Sequence, residues 1–305
     1  MDDILYDMLI VGGGPAGYTA ALYGARAGMS VLVLEKLSAG GQMVETPKID
    51  NYPSLTDGID GFTLGQQMRE HAEKYGAKTC FAEVTGIRLE ENRKVTQTTN
   101  GAFYGKTLLI ATGASPKPLD VPGEQALLGR GVHYCAACDG MFYRGKTVVV
   151  VGGGNTAAAD ALLLSRLAQK VILVHRRDSL RAARVYHKPL AEAENVEFCW
   201  NSVVEEIRQG EIVLRNLLTE QQTTLPCDGV FVGIGRQPET ELVKDLVALD
   251  KQGYILADES TETNVAGVFA AGDVRTKDLR QIVTAVADGA VAVHHAETYL
   301  AQLEH

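Results

Sequence analysis

The sequence has no excess of positive charge, no long apolar run and few cysteines, and each shortage excludes a class of protein. The formal net charge of the 305 residues is −9, which argues against a nucleic-acid phosphate partner. Apolar runs such as 147–151 are far shorter than the roughly 20 residues that a membrane-spanning helix needs. The start is acidic and lacks the basic and apolar regions of a secretory signal. We therefore expect a soluble, cytoplasmic protein without a membrane or nucleic-acid partner.

Cysteine usage excludes a small scaffold held together by disulfides. The five cysteines are Cys80, Cys135, Cys138, Cys199 and Cys227, an odd and modest number for a chain of this length. With 46% hydrophobic residues, the chain can instead bury a sizeable core, and its length makes two domains the reasonable expectation.

What the sequence does contain is an internal repeat. The triplet Gly-Gly-Gly at 12–14 recurs at 152–154, 140 residues later. Each copy follows an apolar strand, opens an Ala-rich helix and is followed by a second apolar strand. The predicted strands are 4–11, 30–34, 146–151 and 170–174. A strand–turn–helix–strand unit that occurs twice indicates two nucleotide-binding α/β domains.

Proline and the strand pattern indicate where one domain gives way to the other. The segment 114–118 contains two prolines after a strand, and a second crossing is expected near 236–246. The last 60 or so residues are too few for a third domain, so we expect them to return to the first. Further predicted elements are strands at 107–111, 229–234, 253–257 and 268–271 and a helix over about 281–302.

The first glycine-rich turn has the spacing of a dinucleotide site. Gly12 permits a tight turn, Gly14 lets the backbone approach a pyrophosphate, and Gly17 lets the helix pack closely on the strand. The helix N-terminus supplies free N–H groups to the phosphates. Glu35, at the end of the next strand, is placed to accept hydrogen bonds from ribose hydroxyls.

The second turn has the same spacing but the opposite charge. It reads Gly152-x-Gly154-x-x-Ala157, and the position at the end of its second strand is a histidine followed by arginines. These residues are His175, Arg176, Arg177 and Arg181. Guanidinium groups bind phosphate bidentately, whereas an acid there would repel a 2′-phosphate. We therefore predict that this site prefers NADPH over NADH; the alternative is a solvated basic loop.

A flavin is predicted for the first domain. Asp273, after Gly272 at the end of a strand, could accept a hydrogen bond from a ribityl hydroxyl, and the helix beginning near Gln281 could direct its N-terminus at the flavin edge. The predicted fold is α/β, with two Rossmann-like domains of three layers. We assign 1–116 and 245–305 to the FAD domain and 117–244 to an inserted NADPH domain.

A Cys-x-x-Cys motif precedes the second glycine-rich strand. Two residues between Cys135 and Cys138 allow a small-ring disulfide, and such motifs commonly contain one thiol of lowered pKa. A zinc site is the competing interpretation, but zinc needs about four ligands, and the other cysteines are isolated in strand-like surroundings. We favour a redox-active dithiol and expect no metal.

Over essentially its whole length the sequence resembles the low-molecular-weight thioredoxin reductases. The most diagnostic feature is a Cys-x-x-Cys within the pyridine-nucleotide domain, since the larger glutathione-reductase-like enzymes have theirs in the FAD domain. The stretch 37–44 contains no cysteine. The shared motifs are GGGPAG at 12–17, GGQM at 40–43, ATG at 111–113, CAACDG at 135–140, GGGNTA at 152–157, HRRDSLR at 175–181, GIGRQP at 233–238, AAGDV at 270–274 and RQIVTA at 280–285.

The resemblance implies that electrons pass from NADPH through FAD to a Cys135–Cys138 disulfide and on to thioredoxin. It implies that Cys138 faces the flavin, Cys135 attacks the substrate disulfide, and Asp139 is a general acid, although Asp139 could instead only cap a helix. The protein would be a homodimer whose domains rotate so that the dithiol and the nicotinamide take turns at the flavin.

The same motif matches predict both cofactor sites residue by residue. For FAD they are Gly12, Gly14, Pro15, Ala16, Gly17, Glu35, Gly41, Gln42, Thr46, Asn51, Ala111, Thr112, Gly113, Gly272, Asp273, Arg280, Gln281 and Ile282. For NADPH they are Gly152, Gly154, Asn155, Thr156, Ala157, His175, Arg176, Arg177, Arg181, Ile234 and Gly235.

Three other functions stay open at this point. The partner could be another dithiol protein such as a peroxiredoxin system, although the thioredoxin-like extension of that flavoprotein class is absent. The chain could be a flavin-binding redox sensor without turnover, or a reductase that does not use its cysteines. Turnover with thioredoxin that disappears in a Cys135→Ser variant would separate these functions.

Overall fold

The computed structural model of the protein describes residues 4–46, 48–90 and 93–303. The chain divides into two compact units, one formed by 1–115 and 237–305 and the other by 116–236. The predicted domain boundaries follow residues 116 and 244, and the assignment of one nucleotide to each domain stays a prediction. No helix in the described ranges is both long enough and apolar enough to span a bilayer.

The first part of the chain contributes the following elements to the first unit. The strands are β1 (Leu5–Val11), β2 (Val31–Glu35), β3 (Lys78–Phe81), β4 (Val84–Glu90), β5 (Arg93–Thr98), β6 (Gly101–Ile110) and β7 (Ala114–Pro116). The helices are α1 (Pro15–Arg26) and α2 (Gly61–Lys74).

The rest of the chain forms the elements of the second unit and those that return to the first unit. The strands are β8 (Val132–His133), β9 (Thr147–Val151), β10 (Lys170–Val174), β11 (Val196–Cys199), β12 (Ser202–Arg208), β13 (Glu211–Asn216), β14 (Gln222–Pro226), β15 (Gly229–Val232), β16 (Arg236–Pro238) and β17 (Val268–Ala270). The helices are α3 (Ala136–Asp139), α4 (Asn155–Ser165), α5 (His187–Glu192) and α6 (Ile282–Leu303).

The first unit is built on one large sheet. Its order is β3-β2-β1-β6-β5-β4, with β17 also paired to β6. The pairs β1–β2, β1–β6, β2–β3 and β6–β17 are parallel, whereas β4, β5 and β6 run antiparallel to one another. The parallel part contains short apolar strands because both of its faces are covered.

The alternation of side chains along β1 separates the two faces of this sheet. Met8 and Ile10 pack in a cluster with α1 and α6, while Leu9 and Val11 pack on the opposite side with the segment around Val243–Ala257. Successive residues of a strand point to opposite faces, so one strand contributes to two cores. The unit therefore has three layers.

The second unit repeats this arrangement with a different third layer. Its sheet has the order β11-β10-β9-β15-β8, and every pair in it is parallel. Val148 and Val150 pack against α4, while Val149 and Val151 pack against the antiparallel sheet β12-β13-β14. Both units thus have the parallel α/β sheet that the sequence predicts.

The predicted elements around the repeat are confirmed, and one predicted strand is wrong. The four strands that flank the glycine turns agree with the structure to within one residue at each end. The stretch 253–257 forms no strand, because Ile255 makes only isolated bridges, to Leu249 on one side and Arg275 on the other. A single bridge on each side does not extend into a ladder.

Candidate functional site

The first glycine-rich turn, between β1 and α1, is closed so tightly that side chains are excluded. Gly12 has φ +109°, and a Cβ on it would lie 2.3 Å from the carbonyl oxygen of Ala111. A Cβ on Gly17 would lie 2.0 Å from the carbonyl oxygen of Gly12. Both contacts are with backbone, which cannot move aside cheaply, so glycine is required at both positions.

In the same turn, Gly14 faces open space. The nearest atom to a Cβ built on Gly14 would be the Cα of Gly41, 4.0 Å away. Gly14 caps α1 without a side-chain hydrogen bond, and Pro15 occupies the first turn of the helix. The N-terminus of α1 therefore has no capping side chain beside this opening, which suits the pyrophosphate of a dinucleotide.

Glu35 closes one side of the turn. Its Oε2 accepts a hydrogen bond from the Gly13 N–H at 2.7 Å, and its Oε1 accepts one from the Leu37 N–H at 3.1 Å. The carboxylate is thus held at the end of β2 by two backbone donors. This leaves lone pairs on both oxygens for further donors, as the predicted ribose contact requires.

A buried acid fixes the returning chain against α6. Asp288 accepts hydrogen bonds from the Gly272 N–H at 2.8 Å, from Nη2 of Arg275 at 2.7 Å and from Nζ of Lys277 at 2.8 Å. Burial raises the pKa of Asp288, but the hydrogen bonds from Arg275 and Lys277 outweigh it and hold the pKa below its ordinary value of 3.8. The carboxylate stays ionised and anchors the Gly272–Asp273 segment.

This segment lies close to the first turn and to the start of α6. A Cβ on Gly272 would lie 3.1 Å from the Cβ of Ala16. Nε of Arg280 donates to the Asp273 carbonyl oxygen at 3.2 Å. Nδ2 of Asn51 donates to Oε1 of Gln281 at 3.2 Å, just before α6 begins at Ile282.

The remaining predicted flavin residues line a second part of the same unit. Nε2 of Gln42 donates to the carbonyl oxygen of Ala114, and a Cβ on Gly113 would lie 3.6 Å from that Nε2. The Thr112 hydroxyl donates to the Glu239 carbonyl oxygen at 2.6 Å. Thr46 follows the short helical turn Gly41–Glu45. The structure thus places every predicted flavin residue in the first unit.

The second turn, between β9 and α4, repeats the geometry of the first. Gly152 has φ +143°, and a Cβ on it would lie 2.6 Å from the Gly233 carbonyl oxygen. Gly154 caps α4 without a side-chain hydrogen bond, and a Cβ built there would meet no atom within 4 Å. Ala157 is fully buried where the turn meets the helix. The turn again leaves an open, uncapped helix N-terminus.

His175 lies directly beneath this turn. A Cβ built on Gly153 would lie 2.3 Å from Cε1 of the His175 ring, and the ring is only 6% exposed. Burial, followed by the charges of Arg176, Arg177 and Arg181, lowers the pKa of His175 below its ordinary value of 6.5. The ring therefore shapes the floor of the turn as a neutral group.

The arginines beside His175 are exposed and have no acidic partner among the described residues. The loop that contains them returns to the turn, since the Arg181 N–H donates to the Gly153 carbonyl oxygen at 2.7 Å. Oδ1 of Asn155 accepts from the Ala183 N–H at 2.8 Å. Unpaired guanidinium groups beside an open helix N-terminus suit a phosphate-bearing ribose.

The last predicted nucleotide residues lie in the same unit. Thr156 is exposed in the first turn of α4, Ile234 is 41% exposed, and the Gly235 carbonyl oxygen accepts from the Lys117 N–H at 3.0 Å. The predicted NADPH set therefore belongs to the second unit, together with the Cys-x-x-Cys motif.

Cys135 and Cys138 are joined by a disulfide, with their Cα atoms 5.3 Å apart. Cys135 caps the short helix α3, and its sulfur accepts a hydrogen bond from the Cys138 N–H at 3.1 Å. The other three cysteines are free thiols. Within residues 4–46, 48–90 and 93–303, no three His, Cys, Asp or Glu side chains come together in a way that could hold a metal ion.

Two contacts beside the disulfide were not predicted from the sequence. Oδ2 of Asp139 lies 3.1 Å from Nδ1 of His133, whose Nε2 lies 2.7 Å from the Tyr143 hydroxyl. The Tyr134 hydroxyl donates to Oε1 of Glu124, a carboxylate that is 1% exposed. Neither pair follows a motif of fixed spacing, because each depends on how its local segment of the chain folds.

The chain is similar to known proteins over nearly its whole length. Residues 6–289 match the family described as pyridine nucleotide-disulphide oxidoreductase. The chain is 43% identical over 309 residues to a thioredoxin reductase of Peptoclostridium litorale, covering 98% of each chain. It is 41% identical over 308 residues to a thioredoxin reductase of Bacillus subtilis, covering 99% of this chain and 97% of the relative. The crystal structure of thioredoxin reductase from Streptococcus pyogenes superposes with a TM-score of 0.92 at 43% identity, covering 99% of this chain and all of that chain.

Proposed function

We propose that this chain, which belongs to the pyridine nucleotide-disulphide oxidoreductase family and within it to the thioredoxin reductases, reduces the disulfide of thioredoxin. Enzymes of this family use FAD and NADPH, and the chain is an oxidoreductase of that kind. The observation that most supports the substrate class is the Cys135–Cys138 disulfide, located in the unit that also contains the arginine-flanked turn.

We assign FAD to the first unit. The uncapped start of α1 with the opening at Gly14 would receive the pyrophosphate, and Glu35 would accept hydrogen bonds from the adenosine ribose. Gly272 and Asp273, anchored by Asp288, would contact the ribityl chain. The cradle fits a dinucleotide because side chains are missing where its phosphates would lie.

We assign NADPH to the second unit. The start of α4 at Gly154 would receive its pyrophosphate, and the exposed guanidinium groups of Arg176, Arg177 and Arg181 would bind its 2′-phosphate. The neutral ring of His175 would support the turn from below.

Bound FAD and NADPH would together supply a hydride and its electron pair to the disulfide. Once the enzyme disulfide is reduced, Cys135 attacks the disulfide of thioredoxin as a thiolate and forms a mixed disulfide. Cys138 then attacks the Cys135 sulfur, which restores the enzyme disulfide and releases the second thiolate of thioredoxin. Asp139, next to Cys138, donates a proton to a departing thiolate.

The test is NADPH consumption coupled to thioredoxin, with Cys135→Ser and Cys138→Ser as matched variants. We expect wild-type turnover and its loss in both variants, because each lacks one of the two sulfurs. Reduction of ferricyanide by NADPH is the control, since it draws electrons from the flavin without the dithiol. Full thioredoxin turnover by either variant would refute the proposal.

We also propose that the protein is a homodimer in the cytoplasm. The support for the dimer is the family resemblance, and the support for a reducing compartment is that Cys80, Cys199 and Cys227 remain free thiols. Sedimentation equilibrium of the holoenzyme would give twice the chain mass if the dimer forms.

A further inference from the structure

A buried hydrogen-bonded chain brackets the redox disulfide. His133 precedes Cys135 by two residues, and Asp139 directly follows Cys138. Nδ1 of His133 lies 3.1 Å from Oδ2 of Asp139, and Nε2 of His133 lies 2.7 Å from the Tyr143 hydroxyl. Nothing in the sequence motifs assigns a role to His133 or Tyr143.

The imidazole of His133 is held rigidly between two aromatic rings. It stacks on Phe231 with ring centroids 5.3 Å apart and an interplanar angle of 27°, and it meets the edge of Tyr143 at 5.2 Å. The side chain is 6% exposed, and β8 pairs with β15 so that His133 lies opposite Phe231. A ring confined in this way has one orientation available, and both of its nitrogens are used.

The partners of the two nitrogens determine which one bears hydrogen. Oδ2 of Asp139 lies within hydrogen-bond distance of Nδ1 of His133 and can accept a hydrogen bond from it, so this nitrogen is assigned the hydrogen. Burial, followed by the charges of Asp139 and Asp228, raises the pKa of Tyr143 to about 12. Tyr143 therefore keeps its hydroxyl hydrogen and can donate it to Nε2 of the His133 ring.

We propose that His133 is a positioning residue for Asp139. Its Nδ1–H fixes Oδ2 of Asp139, which leaves Oδ1 to serve the sulfurs, and Tyr143 fixes the tautomer of the ring. The inference rests on the proposed role of Asp139 as a general acid. Proton transfer depends steeply on the alignment of donor and acceptor, so a fixed carboxyl group should act faster than a mobile one.

The step that His133 assists is the opening of the enzyme's own disulfide. An electron pair breaks the S–S bond, Cys135 leaves as a thiolate, and the carboxyl of Asp139 transfers its proton to that sulfur. The electron pair would be supplied by NADPH through FAD, and Asp139 takes its proton back when Cys135 later attacks thioredoxin as a thiolate. The step therefore takes up two electrons and one proton and leaves one thiol and one thiolate.

Other ionisable groups lie around the hydrogen-bonded chain of Asp139, His133 and Tyr143. Burial raises the pKa of the Cys227 thiol to about 12, with Asp228 adding to the shift, so this thiol stays neutral. Nζ of Lys146 lies 5.3 Å from the centroid of the Tyr143 ring. The groups that face His133 directly are Asp139 and Tyr143.

The experiment compares His133→Leu and His133→Asn with the wild-type holoenzyme. The readout is the rate at which Cys135 becomes a thiol after NADPH is added, followed by rapid quenching and alkylation between pH 5 and 9. Flavin content and ferricyanide reduction by NADPH report whether each variant is folded and loaded. Thioredoxin turnover is measured in parallel.

In His133→Leu we expect the disulfide to open at least about 10-fold more slowly, because the carboxyl is no longer aligned. We expect the midpoint of the pH profile to differ from that of the wild type, because the proton donor is no longer held in the same position. The Asn variant keeps an N–H near the position of Nδ1, so we expect it to recover most of the rate and the original midpoint.

A His133→Leu profile that matches the wild type in rate and midpoint would overturn the proposal. An Asn variant as slow as the Leu variant would also overturn it. A rate that falls equally with and without an N–H donor at this position would indicate that His133 serves packing alone. If the disulfide of the wild-type enzyme opens but thioredoxin is not reduced, the proposed substrate is refuted. The rate of disulfide opening then still tests the proposed role of His133. A disulfide that NADPH does not open in any variant, with ferricyanide still reduced, would refute both.

Discussion

The two glycine-rich turns share one backbone design and differ in the residue beneath them. Gly13 and Glu35 are 22 positions apart, and so are Gly153 and His175. In the first pair the carboxylate accepts the Gly13 N–H at 2.7 Å; in the second, the His175 ring fills the space next to Gly153, and its Nε2 is buried without a hydrogen-bond partner among the described residues.

The comparison shows how one frame can distinguish two nucleotides. The acid in the first unit offers acceptors to hydroxyl groups, whereas a neutral ring followed by exposed arginines in the second unit favours a phosphate. Under the proposed assignment, the glycines would let a dinucleotide approach in both turns, and the residue at the end of the second strand would set its identity. The predictions below test the backbone design first and the charge difference afterwards.

The largest effect on flavin binding and stability is expected at the position where the first turn has Gly17 and the second has Ala157. Gly17→Ala would place a Cβ 2.0 Å from the Gly12 carbonyl oxygen, so we expect loss of bound flavin and of most of the folded protein. The matched change is Ala157→Gly, which we expect to lower the free energy of unfolding by about 1 kcal/mol. Flavin absorbance and denaturant titration measure both; a fully loaded, stable Gly17→Ala protein would contradict this geometry.

The next effect concerns the arginines. For a double variant Arg176→Ala and Arg177→Ala we expect KM for NADPH to rise about 100-fold, since each charged hydrogen bond to phosphate is worth roughly 1.5–3 kcal/mol. KM for NADH should change little, because it has no 2′-phosphate. Arg144→Ala, an exposed arginine elsewhere in the second unit, is the control. An equal rise in KM for NADPH and for NADH would contradict recognition of the 2′-phosphate by these arginines.

A smaller effect is expected at the acid of the first turn. Glu35→Gln keeps the size of the side chain but offers one neutral acceptor oxygen in place of a carboxylate, so we expect FAD to bind about 10-fold more weakly, by roughly 1.4 kcal/mol. Flavin release followed by fluorescence during dilution measures the change. Unchanged affinity would show that Glu35 serves only the backbone N–H groups of Gly13 and Leu37.

The smallest effect is a pH dependence of stability from His175. Because its pKa in the folded protein lies below 6.5, the unfolded chain takes up a proton first as the pH falls through 6.5, and the folded state loses stability there. His175→Gln should flatten the slope of the free energy of unfolding between about pH 6.5 and 5. His71→Gln, at an exposed site, is the matched control variant. Identical slopes in wild type and His175→Gln would contradict the buried neutral ring.

The backbone design could be predicted from the sequence because it depends on spacing. Gly12, Gly17 and Gly152 occupy positions where a local turn leaves no room for a Cβ, and the strands around them are short continuous apolar runs. The prediction of a strand at 253–257 was wrong, because a short apolar segment resembles a strand in sequence whether or not a neighbouring strand pairs with it.

The contacts that support the sites could not be predicted in the same way. Asp288 anchors Gly272 from 16 positions away, and His133 reaches Asp139 only because a strand and a short helix fold onto one another. Their partners are set by tertiary packing, and no motif of fixed spacing encodes them. The glycine turns could therefore be predicted from the sequence, whereas the side chains that anchor the neighbouring segments could not.

The central claim is that electrons from NADPH open the Cys135–Cys138 disulfide, and counting thiols tests it most directly. The protein has five cysteines, of which Cys80, Cys199 and Cys227 are free thiols in the structure. Alkylation of the denatured holoenzyme, read by intact mass, should label three cysteines before anaerobic addition of NADPH and five afterwards. A mass that still shows three labels under excess NADPH would contradict the account.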